Sequence, residues 1–245
     1  MRKGCAAVKM KRNFHAANFV KLKLGRMIMK EIERFLSENS DEKKAKFDRG
    51  LINTKYEILG INIKTIEEFA KKIAKNTDIL QNINISSHEE VLLCGFAIAY
   101  CRDSNEKKVE HIMKLLPYID NWATTDSIVP RLKNMESQRC FFEGLLSHPN
   151  PFYVRFGIVW LKRFALKQDL ANVIKLLGQV KAQDYYIKMA IAWTYQEALT
   201  IDFDFMFDVI KRLQDNFIRN KTISKACDSF RITAENKEKL KALRI

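Results

Sequence analysis

From Met29 onward, apolar residues recur three and four positions apart: Ile32/Phe35/Leu36, Ile66/Phe69/Ala70/Ile73, Ile112/Leu115/Leu116 and Leu170/Val173/Ile174/Leu177. This is the spacing of amphipathic helices, and no stretch sustains the period-two alternation of a half-buried strand. Breaks fall at Asn39–Ser40, Leu59–Gly60, Asn76–Thr77, Ser86–Ser87, Asp103–Asn105, Pro117, Pro130, His148–Pro151, Gly178, Thr200–Asp202 and Arg231–Thr233. Ser87, Thr65 and Thr233 stand where helix N-caps belong. The pattern predicts about a dozen short helices.

A repeat sharpens that prediction. Tyr153 to Trp160 aligns with Tyr186 to Trp193 at an offset of 33 residues, and all eight positions match in kind: aromatic, β-branched, cation, large apolar, small, Ile, small, Trp. Phe96 to Tyr100 is a fainter echo. One helix pair per repeat, with small residues allowing close approach and large ones filling the layer between, predicts an all-α, right-handed α-solenoid of HEAT-like helix pairs (an ARM/HEAT superhelix). Its inner surface would be a groove lined by the second helix of each pair.

Composition narrows the function classes. The 245 residues are 47% hydrophobic and 29% charged, with 8 Gly and 4 Pro, too little turn punctuation for a β-sandwich. The longest apolar run, Val91 to Cys101, is too short to span a bilayer, so no membrane association is expected. Five scattered cysteines without a C-x-x-C pair suit a reduced, cytoplasmic protein. The four histidines lack metal-ligand spacing and no phosphate-binding glycine loop is present, so neither metal nor cofactor is expected.

The net charge is +14, but eight cations and no acid lie within residues 1–28, which leaves +6 on the rest. Residues 1–28 read as a basic extension, disordered or not native, with a nucleic-acid-binding tail as the alternative. Residues 29–245 read as a single HEAT-like repeat domain, expected to be a monomer.

Within the groove, the residues to examine are those a buried layer does not need: Arg155 and Lys188, Trp122 and Trp193, and Asp126. Asp126 follows Trp122 by four residues, which places indole and carboxylate on one helical face. On residue type alone each has a plainer role. Trp160 and Trp193 occupy equivalent repeat positions and suit core filling. Trp122 suits a hydrophobic staple at a helix entry, Asp126 an exposed helix acid, and the two cations a solvated face.

Five segments, in order from about Lys43 to Ile245, resemble the DNA alkylation repair family, the AlkD-like HEAT-repeat DNA glycosylases. They are Leu51 to Ile61, Tyr118 to Asp126, Tyr153 to Trp160, Asp184 to Trp193 and Asn220 to Ala226. The resemblance implies cleavage of the N-glycosidic bond of N3- and N7-alkylated purines, in duplex DNA cradled by a basic groove and without a deep lesion pocket. Repair of the nucleoid would then be its setting, and alkylated double-stranded DNA its partner. It also implies that Asp126 is catalytic, that Trp122 and Trp193 contact lesion and sugar, and that Arg155 meets a DNA phosphate; Lys188, at the equivalent repeat position, is expected to bind phosphate as well. Trp160 stays in the core.

The chemistry suits those residue types. An N7- or N3-alkylpurine already carries a positive charge and leaves as a neutral base without a general acid. What needs stabilising is an oxocarbenium-like sugar, which a carboxylate can do while orienting water toward C1′. Indole faces attract the cationic lesion. An acid on an open groove would be solvated whether the chain is folded or not. The chain departs from the family's Trp-Asp-x-Val-Asp stretch at Ala123 and Thr125. The alternative reading is a non-catalytic HEAT-repeat module binding nucleic acid or protein.

Overall fold

The computed structural model describes residues 27–75 and 85–245; most of the basic extension and the expected break at Asn76–Thr77 lie outside them. The described residues are all helical in class, and their only extended pairing is an isolated bridge between Glu57 and Ser87. They form two compact units divided after Ser104.

The first unit holds α1 (27–39), α2 (Glu42–Arg49), α3 (Ile63–Ile73) and α4 (His88–Tyr100). The three-and-four spacing read from sequence is the buried face: Ile32, Phe35 and Leu36 of α1 are in the core, as are Ile66, Phe69, Ala70 and Ile73 of α3. Phe35 and Phe69 stack with ring centroids 4.0 Å apart. Ser87 caps α4 in a reciprocal capping box with Glu90. Thr65, expected as a cap, lies inside the first turn of α3; Asn62 caps that helix instead, its side chain accepting from the Lys64 amide at 2.9 Å. The earlier position wins because an Asx side chain reaches an amide two residues on.

Glu89 is buried, and its carboxylate accepts from the backbone amides of Leu59, Gly60 and Ile61 at 3.0, 2.8 and 3.3 Å. This ties the loop before α3 to α4. Gly60 has φ +75°, and a Cβ there would sit 2.2 Å from the Asp41 carbonyl oxygen, so only glycine fits.

The second unit runs through α5 (Asn105–Leu115), α6 (Trp122–Ile128), α7 (Arg139–Gly144), α8 (Pro151–Phe164), α9 (Leu170–Gly178), α10 (Tyr185–Leu199), α11 (Phe203–Arg212), α12 (Asn216–Asp228) and α13 (Ala234–Lys241). Alternate helices pack in succession: α6 on α8, α8 on α10, α10 on α12. The helices between them, α7, α9 and α11, pack against that row, and α13 follows on α12.

The repeat read from sequence is the α8–α10 contact. Gly157 and Ala190 are its matching small positions, and a Cβ on Gly157 would stand 2.5 Å from the Phe142 carbonyl oxygen on α7. Here the small residue permits close helix approach, as the pattern requires. Trp160 is fully buried and stacks on Phe142 at 4.1 Å between centroids, in the core role expected of it.

Candidate functional site

All five residues singled out from the sequence lie in the second unit, on α6, α8 and α10. Helix α6 begins at a sharp entry. Pro117 sits in a 3₁₀ turn, and Asn121 then caps the helix, accepting from the Thr124 amide at 2.9 Å and the Thr124 hydroxyl at 3.0 Å. That cap sets the register in which Trp122 opens the helix and Asp126 follows one turn later on the same side. Trp122 remains 36% exposed, so it is not used up as a core staple. Thr125, at the position where the family pattern has valine, is fully buried. Threonine and valine share a shape, and its hydroxyl is turned back toward the Asn121 carbonyl at 3.5 Å. The substitution therefore leaves the packing of α6 intact.

Helix α8 is fixed at its start by Pro151 and by Asn150, whose side chain accepts from the Phe152 amide at 2.9 Å. Its first buried turn carries Arg155, which is only 5% exposed. The guanidinium donates to both carboxylate oxygens of Asp126, from Nε to Oδ1 at 3.0 Å and from Nη2 to Oδ2 at 2.6 Å. Its third nitrogen, Nη1, donates to the Tyr186 carbonyl at 2.9 Å. One side chain thus links α6, α8 and α10.

This geometry revises one expectation and bears on a second. Asp126 is not an acid solvated on an open surface; its side chain is 17% exposed and bonded through both oxygens to a buried cation. Arg155, expected at a phosphate, has all three of its nitrogens engaged within the protein. Each oxygen of an ionised carboxylate can accept about two hydrogen bonds, so the fork leaves acceptor capacity on Asp126.

Lys188, also expected at a phosphate, pairs with Asp215 at 2.9 Å, the residue that caps α12. Its ammonium lies 5.8 Å from the Phe217 ring centroid. Burial raises the Asp215 carboxyl, but the Lys188 ammonium and the amides of Ile218 and Phe217 outweigh it and hold the group below its ordinary value. Trp193, on α10, is half-buried.

One participant escaped the sequence reading. Lys162 lies seven residues after Arg155, two turns along the same face of α8, and its ammonium sits over the Trp193 ring. Burial pushes this ammonium down from its ordinary value to about 7, against the attraction of the Asp126 and Glu197 carboxylates and with added repulsion from Arg155 and Arg163. The i+7 spacing from Arg155 was the available signal. Asp126, Arg155, Lys162 and Trp193 are therefore coupled across three packed helices, with Trp122 one turn from the carboxylate.

Among the described residues no group of His, Cys, Asp and Glu side chains is arranged to hold a metal ion. No described helix is long and apolar enough to cross a membrane. No curated protein and no solved structure matches the chain. A family model does, over residues 32–230, and its span takes in α6, α8 and α10 together with the first unit. The chain belongs to the DNA alkylation repair enzyme family.

Proposed function

We propose that this protein is a DNA glycosylase that excises cationic N3- and N7-alkylpurines from duplex DNA. The observation that carries the reading is the carboxylate of Asp126 fixed by the Arg155 fork one helical turn from the exposed indole of Trp122, with the Trp193 ring of α10 meeting α8 through Lys162. The succession α6, α8, α10, α12 supports a right-handed HEAT-like solenoid, whose inner row would face the duplex.

In this mechanism the bound lesion leaves as a neutral base, and positive charge moves onto C1′ and the ring oxygen of the deoxyribose. Asp126 stabilises that charge and accepts a proton from the water that attacks C1′. A carboxylate held in place before the reaction does this without reorganisation, an advantage usually worth a hundredfold or more in rate. Arg155 positions the carboxylate rather than meeting DNA. Trp122 offers its face to the cationic lesion, at about 0.5–2 kcal/mol per contact depending on desolvation. Lys188, in the first turn of α10, exchanges its bond with Asp215 for one to a phosphate.

The same fork favours a second reading. A carboxylate already neutralised by a buried guanidinium also suits a structural tie in a repeat module that binds nucleic acid without cutting it. Release of free 7-methylguanine from alkylated duplex DNA, followed by chromatography, separates the two: the glycosylase releases it, and a binding module does not. Duplex affinity, measured on a protein beginning at Met29 so that the eight N-terminal cations do not contribute, falls steeply with salt in both cases.

A further inference from the structure

We propose that the N-terminal ends of α8, α10 and α12 form a binding path for single-stranded DNA, in which an unpaired base stacks at Tyr185 while a neighbouring lysine meets the phosphates. The inference rests on the reading above only for the polymer being DNA; no base release enters it.

The observation is a repeated position. Trp122 opens α6, and an aromatic stands second in each later helix of the row: Phe152 in α8, Tyr186 in α10 and Phe217 in α12, at intervals of 30, 34 and 31 residues. Tyr185 adds a further ring at the start of α10. The rings from α8 to α12 meet in order. Between centroids, Phe152 lies 5.1 Å from Tyr186, Tyr186 lies 5.4 Å from Tyr185, and Tyr185 lies 5.8 Å from Phe217. The starts of these three helices are therefore side by side. The Tyr186 carbonyl, which accepts from Arg155, joins this strip to the candidate site.

Core packing does not use all of this ring surface. Trp160 is covered completely, whereas Tyr185 keeps 54% exposure with both ring neighbours in place. One exposed tyrosine is ordinary on a protein surface. An exposed tyrosine within a contiguous aromatic series bordered by cations is the arrangement that holds single strands. Lys188 and Lys221 both lie 5.8 Å from the Phe217 centroid. Lys221 is exposed, while Lys188 is held by Asp215 at 2.9 Å. The acids at the strip are engaged as caps: Asp215 accepts from the Ile218 amide, and Asp184 from the amides of Tyr186 and Ile187. Charge at the strip thus favours an anionic polymer, and the rings favour one with aromatic side groups. Only an unpaired base offers its face to such a ring, because bases within a duplex are covered by their neighbours.

The test is fluorescence anisotropy of a short labelled single strand, and of the same sequence as duplex, with the full chain, so that residues 1–28 contribute equally to every comparison. Tyr185→Ala should weaken single-strand binding by about 5- to 100-fold, the loss of one stacked base, while Tyr185→Phe binds as the wild type does. Duplex affinity should stay level in both. Lys221→Gln should reduce the salt slope of single-strand binding by about 0.7, the share of one phosphate. A strand carrying 5-iododeoxyuridine, irradiated on the wild type, should crosslink to Tyr185 by mass spectrometry, and thermal melting checks that the variants are folded. Unchanged single-strand affinity in Tyr185→Ala, with the crosslink elsewhere, overturns the inference and leaves that ring to a protein partner. Equal losses for single strand and duplex, or a Tyr185→Phe protein as weak as Tyr185→Ala, also overturn it. Either failure in a wild type that releases 7-methylguanine leaves the glycosylase reading standing. Single-strand binding lost in Tyr185→Ala, with no base release by the wild type, keeps the path and removes that reading.

Discussion

Arg155 grips Asp126 through two nitrogens, at 3.0 and 2.6 Å, and spends the third on the Tyr186 carbonyl, so one guanidinium locks α6 to α8 and α8 to α10. Both partners are largely removed from water, and this gives the pair a double role. It fixes the geometry of the carboxylate, and it makes either residue costly to remove.

Removing one member of a buried ion pair strands the other charge, at about 3–5 kcal/mol. Arg155→Met should therefore lower the melting temperature by about 10 °C or more, on the scale of a domain this size. Arg155→Lys keeps the charge but cannot reproduce the fork, and should retain most of the stability while losing excision, because the carboxylate is no longer held. Calorimetry beside base-release rates checks both; an Arg155→Lys protein with full activity would show that orientation by the fork is unimportant.

The two tryptophan environments differ enough to be told apart by mutation. Trp160→Ala empties a stacked core position and should cost about 3–5 kcal/mol. Trp122→Ala removes a ring that is 36% exposed, and should cost clearly less stability than Trp160→Ala, about 1–3 kcal/mol, while weakening binding of the cationic lesion relative to undamaged duplex. Comparable destabilisation by the two substitutions would return Trp122 to a packing role.

Lys162 makes stability depend on pH with a definite sign. Its folded-state value of about 7 lies below the ordinary 10.5, so between these values the unfolded chain binds the extra proton. Stability contributed by this site is fully present above about 10.5, declines as pH falls, and is lost below about 7. Lys162→Met should thus raise the melting temperature at neutral pH, with the gain shrinking as pH approaches 10. A gain independent of pH would mean that packing, not charge burial, dominates at this position.

Much of this was legible in the chain. The helix faces followed from three-and-four spacing, and the small repeat position at Gly157 announced a close helix approach, which the structure makes between α8 and the Phe142 carbonyl of α7. The placement of Trp122 and Asp126 on one face followed from the four-residue interval, which α6 realises. What could not be read was the pairing of Asp126 with Arg155, 29 residues away, since periodicity reports which face a residue takes and not which partner it meets there. Lys162 was overlooked for a related reason: a lysine late in a helix ordinarily reads as a solvated charge favoured by the helix dipole. Only the packing of α10 beside it turns that charge into a buried one.

The most direct measurement is single-turnover excision of 7-methylguanine from a duplex carrying one lesion, comparing wild type with Asp126→Asn at equal DNA occupancy. Asparagine keeps one acceptor toward Arg155 but leaves its charge uncompensated, so the variant should lose up to about 3–5 kcal/mol, and the comparison is made at a temperature where melting shows it folded and bound to duplex. The rate of base release should fall by a hundredfold or more, the loss of about 3–4 kcal/mol expected when a preorganised charge is removed from the transition state. Equal rates in the two proteins, or no release by the wild type, would contradict the assignment of Asp126 as the catalytic carboxylate.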